Sequence, residues 1–62
     1  MDEIEACMLS VGDVFQLWPK PEKLKYFCLM VTSEFVYARS NVCPLVLEKI
    51  RPFTKVYVDN FF

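Results

Sequence analysis

The apolar positions of this sequence fall into short runs separated by turn-forming residues, the pattern of a small antiparallel β-protein. Gly12-Asp13 reads as a turn into a first strand, Val14 to Trp18 (VFQLW). Pro19-Lys20-Pro21-Glu22-Lys23 then breaks that strand, because two prolines remove two ladder donors and stiffen an exposed loop. The strongest run is Leu24 to Thr32 (LKYFCLMVT). Leu24, Tyr26, Cys28 and Met30 alternate onto one face, and Phe27, Leu29 and Val31 onto the other. With both faces apolar, this strand either sits centrally or sets its outer face against a partner. After Ser33-Glu34, Phe35 to Ala38 is a third strand and Arg39-Ser40-Asn41 a polar turn. Val42 to Leu47 (VCPLVL) is a fourth, with Pro44 demanding an edge or a bulge. Glu48 to Pro52 reads as a loop or one helical turn, and Phe53 to Asp59 as a closing strand before Asn60-Phe61-Phe62.

Ahead of these strands, Ile4, Cys7 and Met8 stand at i, i+3 and i+4 behind an acidic start. That spacing permits one or two helical turns, and a frayed arm serves equally well. Five short strands leave no room for crossover helices, so the sheet must curl on itself to cover its apolar face. The expected fold is therefore mainly β: a small SH3-like antiparallel barrel of about five strands, with a short N-terminal helical turn. One domain spans 1–62, with 1–10 a flexible or helical arm.

Composition adds a second expectation. Hydrophobic residues make up 55% of only 62 positions and aromatics 16%, more than so small an interior readily hides. The excess predicts a partner or self-association face. Its candidate residues are Phe27, Leu29, Val31, Phe35, Tyr37, Tyr57, Phe61 and Phe62. Alternation alone does not divide them between core and surface.

Charge and chemistry narrow the function. The formal net charge is −1, unlike a protein held to nucleic acid mainly by phosphate neutralisation. There is no His, which removes the commonest general base and zinc ligand and any Ser-His-Asp relay. Cys7, Cys28 and Cys43 form no CxxC pair and read as reduced, mostly buried thiols. The acidic start does not look like a signal peptide, and the longest apolar run, Tyr26 to Val31, is far short of a membrane span. The chain is read as cytoplasmic, with no cofactor, metal or membrane partner.

Some of the residue order is familiar. Val11-Gly12-Asp13-Val14-Phe15, followed by a loop and Cys28-Leu29-Met30-Val31-Thr32-Ser33, resembles the opening of MazF/PemK-like toxins of the CcdB/PemK superfamily. Those begin with a "GD-hydrophobic" strand and continue to one ending "LVLS". Glu34 to Leu45 is similar to the stretch that follows, a polar turn into a strand with two hydrophobics and a proline, and Pro52 to Val58 to the next strand. The resemblance covers roughly residues 11–59 and implies an SH3-like barrel, dimerisation and RNA cleavage. The chain lacks a counterpart of the family's C-terminal strand and helix, so it resembles a reduced version. Where the family's loop supplies an Arg, this chain offers Lys23 and Lys25, which bring charge without a bidentate fork. Where the family carries Thr or Ser after the proline, it has Val46-Leu47. The resemblance thus implies the fold more than the activity.

One further segment stands out, because Trp18 to Tyr26 interleaves Lys20, Lys23 and Lys25 with two aromatics. With Arg39 it would make a stacking platform for single-stranded nucleic acid, or the phosphate grip of an endoribonuclease dimer. A solvated loop closed by Trp18 explains the same residues and is preferred, given the net charge. The acids Asp13, Glu22, Glu34 and Glu48 lie in separate turns and read as solvating groups. The function expected is a non-enzymatic protein-binding module, a regulator or inhibitor such as a phage or mobile element encodes, that docks on another protein or on its own copy.

Overall fold

Six residues of nearly unbroken β-former, Tyr26–Val31, make the longest strand of the chain. In this computed structural model residues 1–20 and 23–59 are described. Expectations resting on Pro21, Glu22, Asn60, Phe61 or Phe62 lie outside them. The strands are β1 (Asp2–Glu5), β2 (Val14–Phe15), β3 (Tyr26–Val31), β4 (Val36–Ser40), β5 (Glu48–Ile50) and β6 (Lys55–Val58), with a 3₁₀ turn at Ala6–Met8. They form two antiparallel sheets, one ordered β2-β3-β4-β5 and the other β1-β6. Among the described residues a single bridge joins the sheets: Gln16 N–H donates to the Tyr57 carbonyl and Tyr57 N–H to the Gln16 carbonyl, both at 2.8 Å. The chain adopts the mainly β fold expected of it. Its sheets cover one core without closing into a complete barrel, since no ladder joins β1 to β5 among the described residues.

Every layer of that core is small. The buried residues are Ala6, Leu9, Phe15, Cys28, Val36, Ala38, Ile50 and Val56, with Ile4, Leu17, Tyr26, Val31 and Val58 packed around them. Gln16 is buried as well, at 3% exposure. Its Nε2 donates to the Lys20 carbonyl at 2.7 Å and the Trp18 carbonyl at 3.4 Å, and its Oε1 accepts from Lys25 Nζ. One carboxamide thereby folds the proline-containing loop back over the junction of the sheets, and its own burial cost is met by these bonds. Asn41 ties the far end of the loop, donating to the Lys23 carbonyl and accepting from Lys25 N–H. Gly12, at φ 93°, supplies the left-handed corner into β2.

A bulge in β3 decides which side chains face in. Cys28 pairs with Ala38, but the next pairs are Met30 with Tyr37 and Val31 with Val36, leaving Leu29 as the extra residue. Strict alternation puts Cys28 and Met30 on one face, whereas the bulge sends Cys28 inward and Met30 outward. Val31 shifts correspondingly onto the core.

Other boundaries also depart from expectation. Residues 2–5 form a strand against β6, with only the 3₁₀ turn that follows being helical. Pairing with the Lys55–Val58 backbone gives this segment more hydrogen bonds than a short free helix could hold. The expected strand Val42 to Leu47 is instead a turn: Cys43 N–H donates to Ser40 Oγ and Val46 N–H to the Cys43 carbonyl, around the donorless Pro44. The strand comes later, at Glu48–Ile50, because Ile50 there falls opposite Val36 and reaches the core. Arg39 and Ser40 extend β4 rather than turning, the first strand stops at Phe15, and Phe53 sits in a turn.

Phe15 is the only large ring wholly inside the described core. Replacing it with Ala should cost about 3–5 kcal/mol. That is comparable to the whole stability of about 3–9 kcal/mol that 62 residues usually reach. Urea titration followed by circular dichroism should find Phe15→Ala largely unfolded in buffer, while Leu45→Ala, at a fully exposed site, should shift stability by no more than about 0.5 kcal/mol.

Candidate functional site

The ladder registers place a row of apolar side chains on the solvent side of the four-stranded sheet. Val14, Phe27 and Arg39 are cross-strand neighbours, and after the bulge so are Met30, Tyr37 and Lys49. Val14, Leu29 and Met30 are 46%, 40% and 51% exposed, while Phe27 and Tyr37 are half-buried between them. At the rim the Phe35 ring meets Tyr37 edge-on, 6.3 Å between centroids, and Lys49 Nζ lies 5.5 Å from the Phe35 centroid. Phe27, Leu29, Phe35 and Tyr37, all predicted for a binding face, are thus brought together. Val31 is not among them: the bulge turns it inward against the core. Tyr57 lies on the other sheet, donating its hydroxyl to Glu3 Oε1 at 3.0 Å. Phe61 and Phe62 fall outside the described residues.

Two parts of the apolar surface were not anticipated. Met30 joins the face only because of the bulge, for which the sequence carries no signal such as a strand glycine. The turn Val42–Leu47 stands wholly in solvent, with Leu45 fully exposed and Val42, Val46 and Leu47 more than half so. Pro44 was the available signal, since a proline amid apolar residues disfavours a paired strand.

The lysine-rich segment is divided among different tasks. Trp18, Lys20 and Lys23 are exposed. Lys25 is committed to Gln16, and Tyr26 stacks on Phe15 at 5.6 Å and 22° instead of offering a free ring. Arg39 belongs to the outer sheet face beside Phe27. Among the described residues no three His, Cys, Asp or Glu gather as a metal site, and no helix is long and apolar enough to cross a membrane. The thiols differ from one another: Cys28 is buried, Cys7 half-buried and Cys43 exposed, so the expectation of mostly buried thiols holds for Cys28 alone. Comparison with protein-family models, with curated proteins and with solved structures finds no match.

Two titrations report this geometry. The Cys28 thiol is pushed up from 9.0, first by burial and then by the Asp13 charge. Folding therefore favours the thiol over the thiolate. The associated stability is present below the unfolded-state pKa and is lost as pH rises through the higher folded value. Alkylation with iodoacetamide should accordingly modify Cys43 first, with Cys28 reacting only on unfolding or strongly alkaline exposure. The Tyr57 phenol is raised from 10.0, first by the bond it donates to Glu3, whose carboxylate also opposes phenolate formation. Ultraviolet titration should show Tyr57 ionising late, and Glu3→Gln should return it toward the ordinary value.

Proposed function

We propose that this chain is a non-enzymatic protein-binding module, of the regulator or inhibitor kind, that associates through the outer face of its four-stranded sheet. The observation that carries this reading is the continuous apolar surface formed by Val14, Phe27, Leu29, Met30 and Tyr37 on a sheet whose other side already fills the core. A soluble domain gains nothing in its own stability from such a patch, and contiguous patches of this kind mark contact surfaces. The face has the make-up of an interface: aromatic and methionine side chains at the centre, with Arg39 and Lys49 alongside. Those two cations suit a partner whose rim is acidic, which would also orient the encounter. A second copy of the chain is an available partner, since pairing two such faces offset would cover both patches.

Light scattering across a concentration series, beside affinity capture with the protein as bait, tests the reading. The double variant Leu29→Lys/Met30→Lys should weaken self-association or partner capture by roughly tenfold or more, as loss of a central contact does. Its thermal melt should change little, because both side chains lie outside the core. A wild-type chain that stays monomeric at high concentration, with captured proteins unaffected by the double variant, would overturn the assignment. So would RNA cleavage that is lost in Lys25→Ala.

A further inference from the structure

The two sheets separate immediately beyond the bridge that joins them. Gln16 and Tyr57 exchange both backbone bonds, so a continuing antiparallel ladder would next set Phe15 against Val58 and Val14 against Asp59. No such pairing forms. The segments diverge around a cavity of about 480 Å³, whose walls include Val14 and Phe15 on one side and Val58 and Asp59 on the other. Ile4 and Asp13 also line it, and the cation on its lining, Lys25, is turned onto the Gln16 carboxamide.

Strand alternation fixes what these walls present. The N–H and C=O of Gln16 point toward β6, so those of Val14, two residues earlier, point the same way and into the fork. The groups between them serve the other side: the Asp13 carbonyl accepts from Cys28 N–H at 2.9 Å, and Phe15 pairs with Tyr26. Asp59, one residue beyond the end of β6, lines the opposite wall, and with the extended backbone of β6 continued to it, its backbone groups would face Val14. Neither Val14 nor Asp59 makes a backbone hydrogen bond across this gap among the described residues. The fork is thus an unfinished sheet, walled by the unpaired edge of β2 at Val14 and by the residue that follows β6, the arrangement that accepts an added strand.

Size and lining define the occupant. The cavity has room for a short stretch of extended chain. We infer that the fork between β2 and β6 docks an extended segment of a partner protein, antiparallel to β2, with the pattern apolar–basic–apolar. The central residue occupies the Val14–Asp59 rung, its side chain on their solvent side beside the Asp59 carboxylate, with Asp13 adding a second negative charge nearby. The residues on either side point inward against Ile4, Phe15 and Val58. This site adjoins the outer sheet face, sharing Val14 with it, but its pairing partner Asp59 and its inward contacts Ile4, Phe15 and Val58 lie off that face, so it stands whether or not the face binds a partner.

The test is a titration of the ¹⁵N-labelled chain with the capped peptide acetyl-Thr-Val-Lys-Val-Thr-amide, carried to about 1 mM or beyond, the range where weak peptide contacts register. The amide shifts should concentrate at Gly12, Val14 and Asp59, and exchange of the Val14 N–H should slow on binding. Asp59→Asn, at an exposed position outside the strands, should weaken binding about fivefold while leaving the rest of the spectrum unchanged. A peptide with Glu in place of Lys, or one N-methylated at the Lys, should bind more weakly still. The proposal fails if no shifts occur, if they map to Phe27, Leu29 and Tyr37 or to residues 42–47, or if all three peptides bind alike. It fails too if the Val14 N–H is already protected in the free chain and the peptide changes nothing, because the chain then fills the fork itself.

Discussion

Two backbone hydrogen bonds between Gln16 and Tyr57 hold the two sheets of this small protein in one body. One rung is little to join a two-stranded and a four-stranded sheet, and an isolated two-stranded ribbon is barely stable in water. The rung persists because of where it sits. The Gln16 side chain is buried, its amide satisfied by the loop that follows, while Val56 beside Tyr57 is wholly inside the core. Breaking the rung would open the core beside Val56, which costs more than a surface hydrogen bond returns. The same rung is also where pairing stops, so the junction of the sheets and the fork beside it are one feature.

A second constraint, the bulge at Leu29, governs how apolar side chains divide between inside and outside. Without it, Met30 would follow Cys28 into the core and Val31 would follow Phe27 to the surface. With it, the short β-branched Val31 packs against the core beside its partner Val36, and the longer Met30 stands in solvent. A bulge also adds twist, which lets a four-stranded sheet curve around so few core residues.

Much of this was legible from the chain. The runs Val14–Phe15, Tyr26–Val31, Val36–Ala38 and Lys55–Val58 announce themselves through β-branched and aromatic residues between turn formers, and their order already dictates antiparallel pairing. The failures share one physical origin, since strand assignment follows tertiary packing where local preference is weak. Glu48-Lys49-Ile50 has little β character, yet it becomes a strand because Ile50 can reach Val36. Val42–Leu47 has ample β character yet stays out, because Pro44 cannot donate and no neighbouring edge takes it. Residues 2–5 looked like the start of a helix because acids favour a helix N-terminus, and pairing with β6 outweighs that local preference. For the outer apolar face, the residue types were readable but their side of the sheet was not, since one inserted residue in β3 reverses the parity on which any such reading depends.

The size of the core explains why so much apolar surface remains outside. Of eight aromatic residues in the described chain, only Phe15 is buried, and the other fully enclosed side chains are no larger than Val. The interior is built from Ala6, Leu9, Phe15, Cys28, Val36, Ala38, Ile50 and Val56, with Tyr26 stacked against Phe15, while Phe27, Phe35 and Tyr37 stay outside that buried cluster. A core this small supplies limited stability, and anything that binds the folded chain adds to it by mass action. Covering the outer face would therefore stabilise the fold as well as form a complex. In a fold with so small a core, aromatic residues left on the outer sheet face would add to folding stability in any complex that covered them.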